Sequence, residues 1–337
     1  MRKIILIILC ILLCGCDYKE LNNLGIVTMI TVDYKDNNYL VHSELLNINK
    51  DSKNKSIIVK GHGKSLSTAL QNAENNSEYI FNYSHVYTII LSNEVLLKKR
   101  NEINDFFIRN KDLRKDFLVF YSNDIDNILN YKTSVHSSIG ESIINITDNL
   151  KSSFVVSKYR EVLHAKLNNM SYLVGNLEVK DNTFTFNNYY VIRDNHIKTV
   201  NKKNTLLYGL LNNKIQSFDV DNDNNSYKIY DYKIKTKVNG NNISLIIKPK
   251  VKLTSIDKKD IDTYKGVSKL EKKLNKTIKK RLLETVNYSK NEQIDINNLT
   301  YLYYLKYNKI INLDDLKIKV KVDTTINEKG LSSKGFN

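Results

Sequence analysis

The residues with the plainest chemical potential stand near the amino terminus. Leu13-Cys14-Gly15-Cys16 follows Met1-Arg2-Lys3 and an apolar run, residues 4–13, that only Cys10 punctuates. A short positive region, an apolar stretch about half the roughly 20 residues that cross a bilayer, and a small residue before a cysteine have the shape of an export signal. The four residues resemble the bacterial lipobox, whose last cysteine is diacylated and becomes residue one. Cys16 is the expected acceptor, and residues 1–15 the signal peptide. Two acyl chains, at about 0.8 kcal/mol per buried methylene, hold a protein at a membrane stably where one does not. Cys10, Cys14 and Cys16 are the chain's three cysteines. Cleavage before Cys16 therefore leaves one cysteine, which excludes an internal disulfide and any cysteine-based metal site.

Other constellations carry less. Gly61-His62-Gly63-Lys64-Ser65 has the Gly-Lys-Ser of a phosphate-cradling loop, but that motif needs glycine at position 58, where Ile58 stands. The segment reads instead as a turn into a helix capped by Ser65. His42, His62, His85, His136, His164 and His196 lack ligand spacing, and no Gly-x-Ser-x-Gly or His-Glu-x-x-His element occurs. His85, at an expected strand start, is the histidine to mutate first. No cofactor, metal or enzymatic activity is expected. The formal net charge of +16 favours anionic partners in principle. The lysines nevertheless recur singly on polar faces, as on a solvated surface, and the basic stretch at 269–281 reads as an exposed helix face or a contact for anionic headgroups. Export makes nucleic acid remote.

The elements that would position these residues follow from periodicity. With 337 residues, 41% hydrophobic and 26% charged, the chain has room and apolar content for two or three folded domains. Strand-like runs at 26–32 and 39–42 form a hairpin, with a further strand at 57–59 and a helix from Ser65. Alternation continues through a strand at 85–91, a helix at 93–109, a strand at 117–121 and helices at 124–129, 141–150 and 157–166. The expected fold class is α/β with α+β: residues 16–150 an amino-terminal mixed α/β domain, 151–222 a middle domain, and 223–337 an α+β domain. Strands at 184–192 and 196–200 fall in the middle domain, and the Asn/Asp-rich 219–226 suits a linker or exposed turn. Tyr230, Tyr232, Ile234, Thr236 and Val238 alternate with polar residues before Asn239-Gly240, which predicts a type I′ hairpin into Ile243, Leu245, Ile247, Val251 and Leu253. Pro249 marks an edge or a bulge. Val267, Leu270, Leu274, Ile278, Leu282 and Val286 make a long helical stripe, and Leu316, Ile318, Val320 and Val322 a last strand. A long helix packed on an antiparallel sheet is expected there.

In order and spacing these segments resemble the Ger(x)C family, the C subunits of spore nutrient germinant receptors. The carrying residues are 15–27 around Cys16 with Val32-Asp33, Gly61-His62-Gly63-Lys64-Ser65-Leu66 with Ala69, His85 with 90–92, 106–110 with Arg114, 190–197, 206–211, and the last strand with Gly330. Asp17 stands where the family usually carries Trp. The resemblance implies a three-domain lipoprotein on the outer face of the spore inner membrane. It also implies partnership with a membrane-embedded A subunit and a transporter-like B subunit, and a non-catalytic part in receptor assembly and the response to nutrients. A solute-binding lipoprotein of a membrane importer shares the anchor and size but calls for two similar α/β lobes. An envelope hydrolase would require paired carboxylates in a cleft.

Overall fold

The computed structural model describes residues 24–46, 55–133, 135–149, 154–222, 225–255 and 263–328; Cys16, the export segment and Gly330 lie outside them. In chain order the first half runs β1 (Leu24–Lys35), β2 (Asn38–Leu46), β3 (Ser56–Gly63), α1 (Leu66–Asn75), β4 (Ile80–Asn82), β5 (Thr88–Ser92), α2 (Arg100–Arg109), β6 (Leu118–Ser122), α3 (Ile125–Leu129), α4 (Ile139–Asn149), β7 (Ser157–Lys158), α5 (Tyr159–Leu167), β8 (Tyr172–Asn176), β9 (Glu178–Lys180), β10 (Thr183–Thr185), β11 (Asn188–Arg193) and β12 (His196–Asn201). The second half adds α6 (Leu206–Leu211), β13 (Phe218–Asn222), β14 (Asn225–Asn239), β15 (Asn242–Ser255), α7 (Tyr264–Asn291), α8 (Leu299–Tyr307), β16 (Lys317–Val322) and β17 (Thr325–Glu328).

The first sheet has the order β12-β11-β8-β6-β5-β1-β2-β3, with β4 beside β1 and β7 beside β6. Its centre, β8-β6-β5-β1, is parallel, and its flanks are antiparallel. Every residue of β5, β6 and β8 is buried, which a parallel sheet requires when both faces are covered. One face, including Ile89, Leu91, Val119, Tyr121 and Val174, packs with residues of α1, α2 and α5 such as Leu70, Phe107 and Val162. The other face, including Met29, Ile90, Phe120 and Leu173, joins α4 and the second half. The sheet crosses residue 150, since β8, β11 and β12 hydrogen-bond into the same array as β1 to β6.

The second sheet has the order β13-β14-β15-β16, with β17 also on β15. β13, β14 and β15 are antiparallel, and α7 lays Val267, Leu270, Leu274, Ile278, Leu282 and Val286 into the core beneath them. β16 and β17 join parallel to β15, because the two helices between supply the crossover that parallel pairing needs. The mixed α/β first part and the helix-packed antiparallel sheet match the class expected from patterning.

Several local expectations change. Residues 219–222 and 225–226 lie in paired strands rather than a linker: Asp219 pairs with Lys228, Val220 with Tyr227 and Asn222 with Asn225, and the alternating Phe218, Val220, Tyr227 and Ile229 bury one face. The hairpin loop is Gly240-Asn241, closed by the Asn239–Asn242 pair. Only Gly240 has positive φ, at 51°, which fits a type II′ turn, where glycine takes the first central place, better than type I′. Pro249 is not on an edge. It sits where β16 has ended at the level of Ile247 and β17 begins at Lys250, beside a bulge in β14 between Ile229 and Asp231, so its missing donor leaves no ladder bond unmade. The helix expected over 93–109 opens with a π turn at Val95–Lys99, and the one expected at 157 starts at Tyr159, because Ser157-Lys158 pair with β6.

Candidate functional site

Three segments far apart in sequence meet where β8 begins. Asn298, just before α8, adopts a left-handed backbone with φ 55°, and its side-chain amide accepts from Ser171 N at 2.6 Å and donates to Ser171 O at 2.9 Å. The side chain thus replaces a missing strand partner at the start of β8. Ser171 Oγ donates to Asp295 O at 2.7 Å. Asp295, 2% exposed, caps α8: its carboxylate accepts from Leu299 N at 3.0 Å, Thr300 N at 2.7 Å and Thr300 Oγ1 at 2.7 Å. Negative charge at a helix start meets its unpaired amides and the positive end of its dipole. Arg193, ending β11, donates to Thr300 Oγ1 at 3.3 Å and stands 3.9 Å from the Asp295 carboxylate. Around this joint lies an open cavity of about 500 Å³, lined by residues 166–169 after α5, by Arg193, Thr300, Tyr301 and Tyr304, and by Ile310 and Ile311. Its lining mixes cationic, amide and aromatic groups and offers no acid–base pair.

A second node is built on Glu44, which is fully buried in β2. Its carboxylate accepts from Thr28 Oγ1 at 2.9 Å, Ser56 Oγ at 2.9 Å, Ile139 N at 2.6 Å and Gly140 N at 2.9 Å. A strand residue therefore caps α4 from across the sheet. Gly140 is required for the approach, since a Cβ there would stand 2.6 Å from Thr28 O. Burial raises the Glu44 carboxyl above its ordinary range, with the four donors opposing. A carboxylate so enclosed has no route to substrate.

A third cleft, between Tyr39, Ser65, Glu102, Asp105 and Arg109, places two carboxylates near each other. Both are engaged. Tyr39 Oη donates to Glu102 at 2.6 Å, Lys99 bonds the same carboxylate at 2.9 Å, and Arg109 Nε reaches both Asp105 oxygens at 2.9 Å. The Tyr39 and Lys99 bonds hold the Glu102 carboxyl below its usual range, the setting of a structural pair rather than a general acid.

The sequence-derived candidates are scattered. Cys16 lies outside the described residues. Gly61 and Gly63 end β3 against α1, where a Cβ on Gly61 would come within 2.1 Å of Ala69 O, and Ser65 Oγ accepts from Thr68 N at 3.1 Å as the cap. The two glycines thus serve close helix packing, not phosphate. His85 is exposed in a 3-10 turn ahead of β5, which starts only at Thr88. His42 is buried with Nδ1 2.9 Å from Thr31 Oγ1, and no three His, Cys, Asp or Glu gather as metal ligands among the described residues. The lysines of 269–281 line the exposed side of α7. The joint at Ser171, Arg193, Asp295 and Asn298 escaped periodicity. Its one local signal was Asp295 and Asn298 just ahead of an apolar run, a helix-start signature. No described helix is long and apolar enough to cross a membrane.

The chain matches the "Spore germination protein N-terminal domain" family over residues 17–174 and the "Spore germination B3/GerAC like, C-terminal" family over 187–330. The second match takes in β11 and β12 of the first sheet. No curated protein matches the chain in sequence. A solved structure titled "Crystal Structure of the GerBC protein" superposes with TM-score 0.56 at 13% identity, covering 88% of this chain and 96% of that one, which shows a shared fold. With its ordered segments matched from residue 17 to 330 and that architecture in common, the chain belongs to the Ger(x)C family of spore germination proteins.

Proposed function

We propose that this protein is the lipid-anchored, non-catalytic C subunit of a spore nutrient germinant receptor. It would be held on the outer face of the spore inner membrane through Cys16 and act through contacts with the membrane-embedded A and B subunits. The carrying observation is the pair of family matches, over residues 17–174 and 187–330, the first directly behind a lipobox-like Cys16. The enclosed or paired state of the carboxylates in the described clefts supports a role in assembly rather than hydrolysis. The two halves also differ, one a mixed sheet covered on both faces and the other a smaller sheet on one long helix. That pairing suits a scaffold better than the two like lobes of a solute-binding lipoprotein.

The test is a pull-down of tagged protein from detergent-solubilised spore inner membrane, beside a Cys16→Ser variant. The expected outcome is recovery of the A and B subunits with the parent chain, fatty-acid labelling of it, and loss of labelling and membrane retention in the variant. Recovery of an importer permease with its ATPase would replace this reading by the solute-binding one.

A further inference from the structure

The helix α8, Leu299-Thr300-Tyr301-Leu302-Tyr303-Tyr304-Leu305-Lys306-Tyr307, is mostly apolar and aromatic, with Thr300 and Lys306 as its polar members, yet only Leu299 is buried. Tyr304 and Leu305 are exposed. Beside it, across the cavity at the start of β8, Leu167 is 86% and Ile310 94% exposed. Leucine and isoleucine displayed so fully on one rim, with tyrosines whose rings are apolar and whose hydroxyls are polar, form a surface suited to a boundary between water and hydrocarbon. Lys166 precedes Leu167 and Lys309 precedes Ile310, and both lysines are exposed. The nearby Asp194 carboxylate is occupied by the Asn169 amide, at 2.7 and 2.9 Å in the orientation that satisfies that amide.

The topology says what this rim faces. β1, β5, β6 and β8 are parallel neighbours, so their starts share one edge of the sheet. α5 ends at Leu167 just ahead of β8, and Asn298 ties the start of α8 to Ser171 on that edge. β1 begins at Leu24 on the same edge, three strand spacings or about 14 Å from β8. Seven residues of sequence, 17–23, lie between Cys16 and Leu24, eight chain steps with a reach of at most about 30 Å. A bilayer holding acyl chains on Cys16 is therefore within reach of this edge.

We infer that the rim formed by Leu167, Ile310 and the exposed side of α8 seats in the interface of an anionic phospholipid bilayer, with Lys166 and Lys309 toward the headgroups. The inference rests on the anchoring of Cys16 and goes beyond it: the acyl chains confine the protein, and the rim sets which way it stands. Apolar side chains buried in the headgroup boundary with lysines beside them are the ordinary means of interfacial binding.

The test uses the full acylated protein on vesicles of phosphatidylcholine, with or without phosphatidylglycerol. An environment-sensitive fluorophore is placed on Leu167→Cys, or in a second preparation on Ile310→Cys; both sites are exposed enough to leave folding alone. The control is Tyr264→Cys, at the far end of α7 and about 40 Å along that helix from its other end. The rim labels should shift to the blue and be quenched by lipids spin-labelled near the headgroup, more strongly with phosphatidylglycerol, while the control stays water-like. Rim labels that match the control on protein bound to the vesicles overturn the inference and leave the anchoring intact. Failure of the protein to stay on vesicles overturns the anchoring and this inference with it. A blue shift that appears only with the A and B subunits present, without lipid quenching, assigns the rim to a protein partner and overturns the lipid assignment.

Discussion

Glu44 and His42 lie two residues apart on β2, both buried, and their protonation pulls stability in opposite directions. Replacing Glu44 with alanine orphans the Ile139 and Gly140 amides, at about 1–3 kcal/mol for each buried group left without a partner, a loss that urea denaturation should read. Glu44→Gln keeps one acceptor and should recover part of it. Because burial raises the Glu44 carboxyl from 4.5, the folded chain binds that proton more tightly than the unfolded one. Its contribution is greatest in acid and declines as pH rises from 4.5 through the raised value. For His42 burial, with Lys60 adding to it, lowers the imidazole from 6.5, so the unfolded chain takes up the proton first. Stability from that residue is present above 6.5 and lost as pH falls through the depressed value. In a pH series of denaturation midpoints, Glu44→Gln should remove the first slope and His42→Gln the second.

At the scale of elements, the glycines before α1 decide how closely that helix sits. A methyl on Gly61 would collide with the Ala69 carbonyl, a backbone atom with no rotamer to escape into. Gly61→Ala should cost about 1–3 kcal/mol as an overpacked contact and should speed hydrogen exchange of the α1 amides. A variant of unchanged stability would remove close packing as the reason for glycine there. The motif was legible as a helix start because cap and apolar spacing are local. Its closeness to the helix was not, since only the folded β3–α1 pair brings residue 61 under residue 69. The stripe of α7 was legible because one face alone is apolar. α8 was not: apolar and aromatic residues on most sides give no period, and its position depends on Asp295 and Asn298 meeting Ser171.

Across the whole molecule one buried cluster runs from Met29 and Ile90 in the first sheet through Tyr189, Leu207 and Leu210 to Ile247, Leu274 and Ile326 in the second half. Shared apolar core couples the halves, so neither buries its surface alone. Calorimetry of the intact protein should give one cooperative transition, with calorimetric and van't Hoff enthalpies equal. Two resolved transitions would show halves that melt independently. The division at 150 expected from the alternation of strand-like and helical segments reflects a change in local pattern, whereas strand pairing carries the first sheet on to Asn201.

The sequence by itself determined the periodic elements, the α/β and α+β class, and the kinship written in the order of short motifs. Each of these is local, or a sum of local signals read along the chain. Tertiary structure alone decided that a buried glutamate caps a helix across the sheet, that the terminal strands pair parallel to β15, and that Ser171 meets Asn298 from 127 residues away. Such contacts depend on closure of long loops and on which faces find each other, and no window of neighbouring residues contains that information.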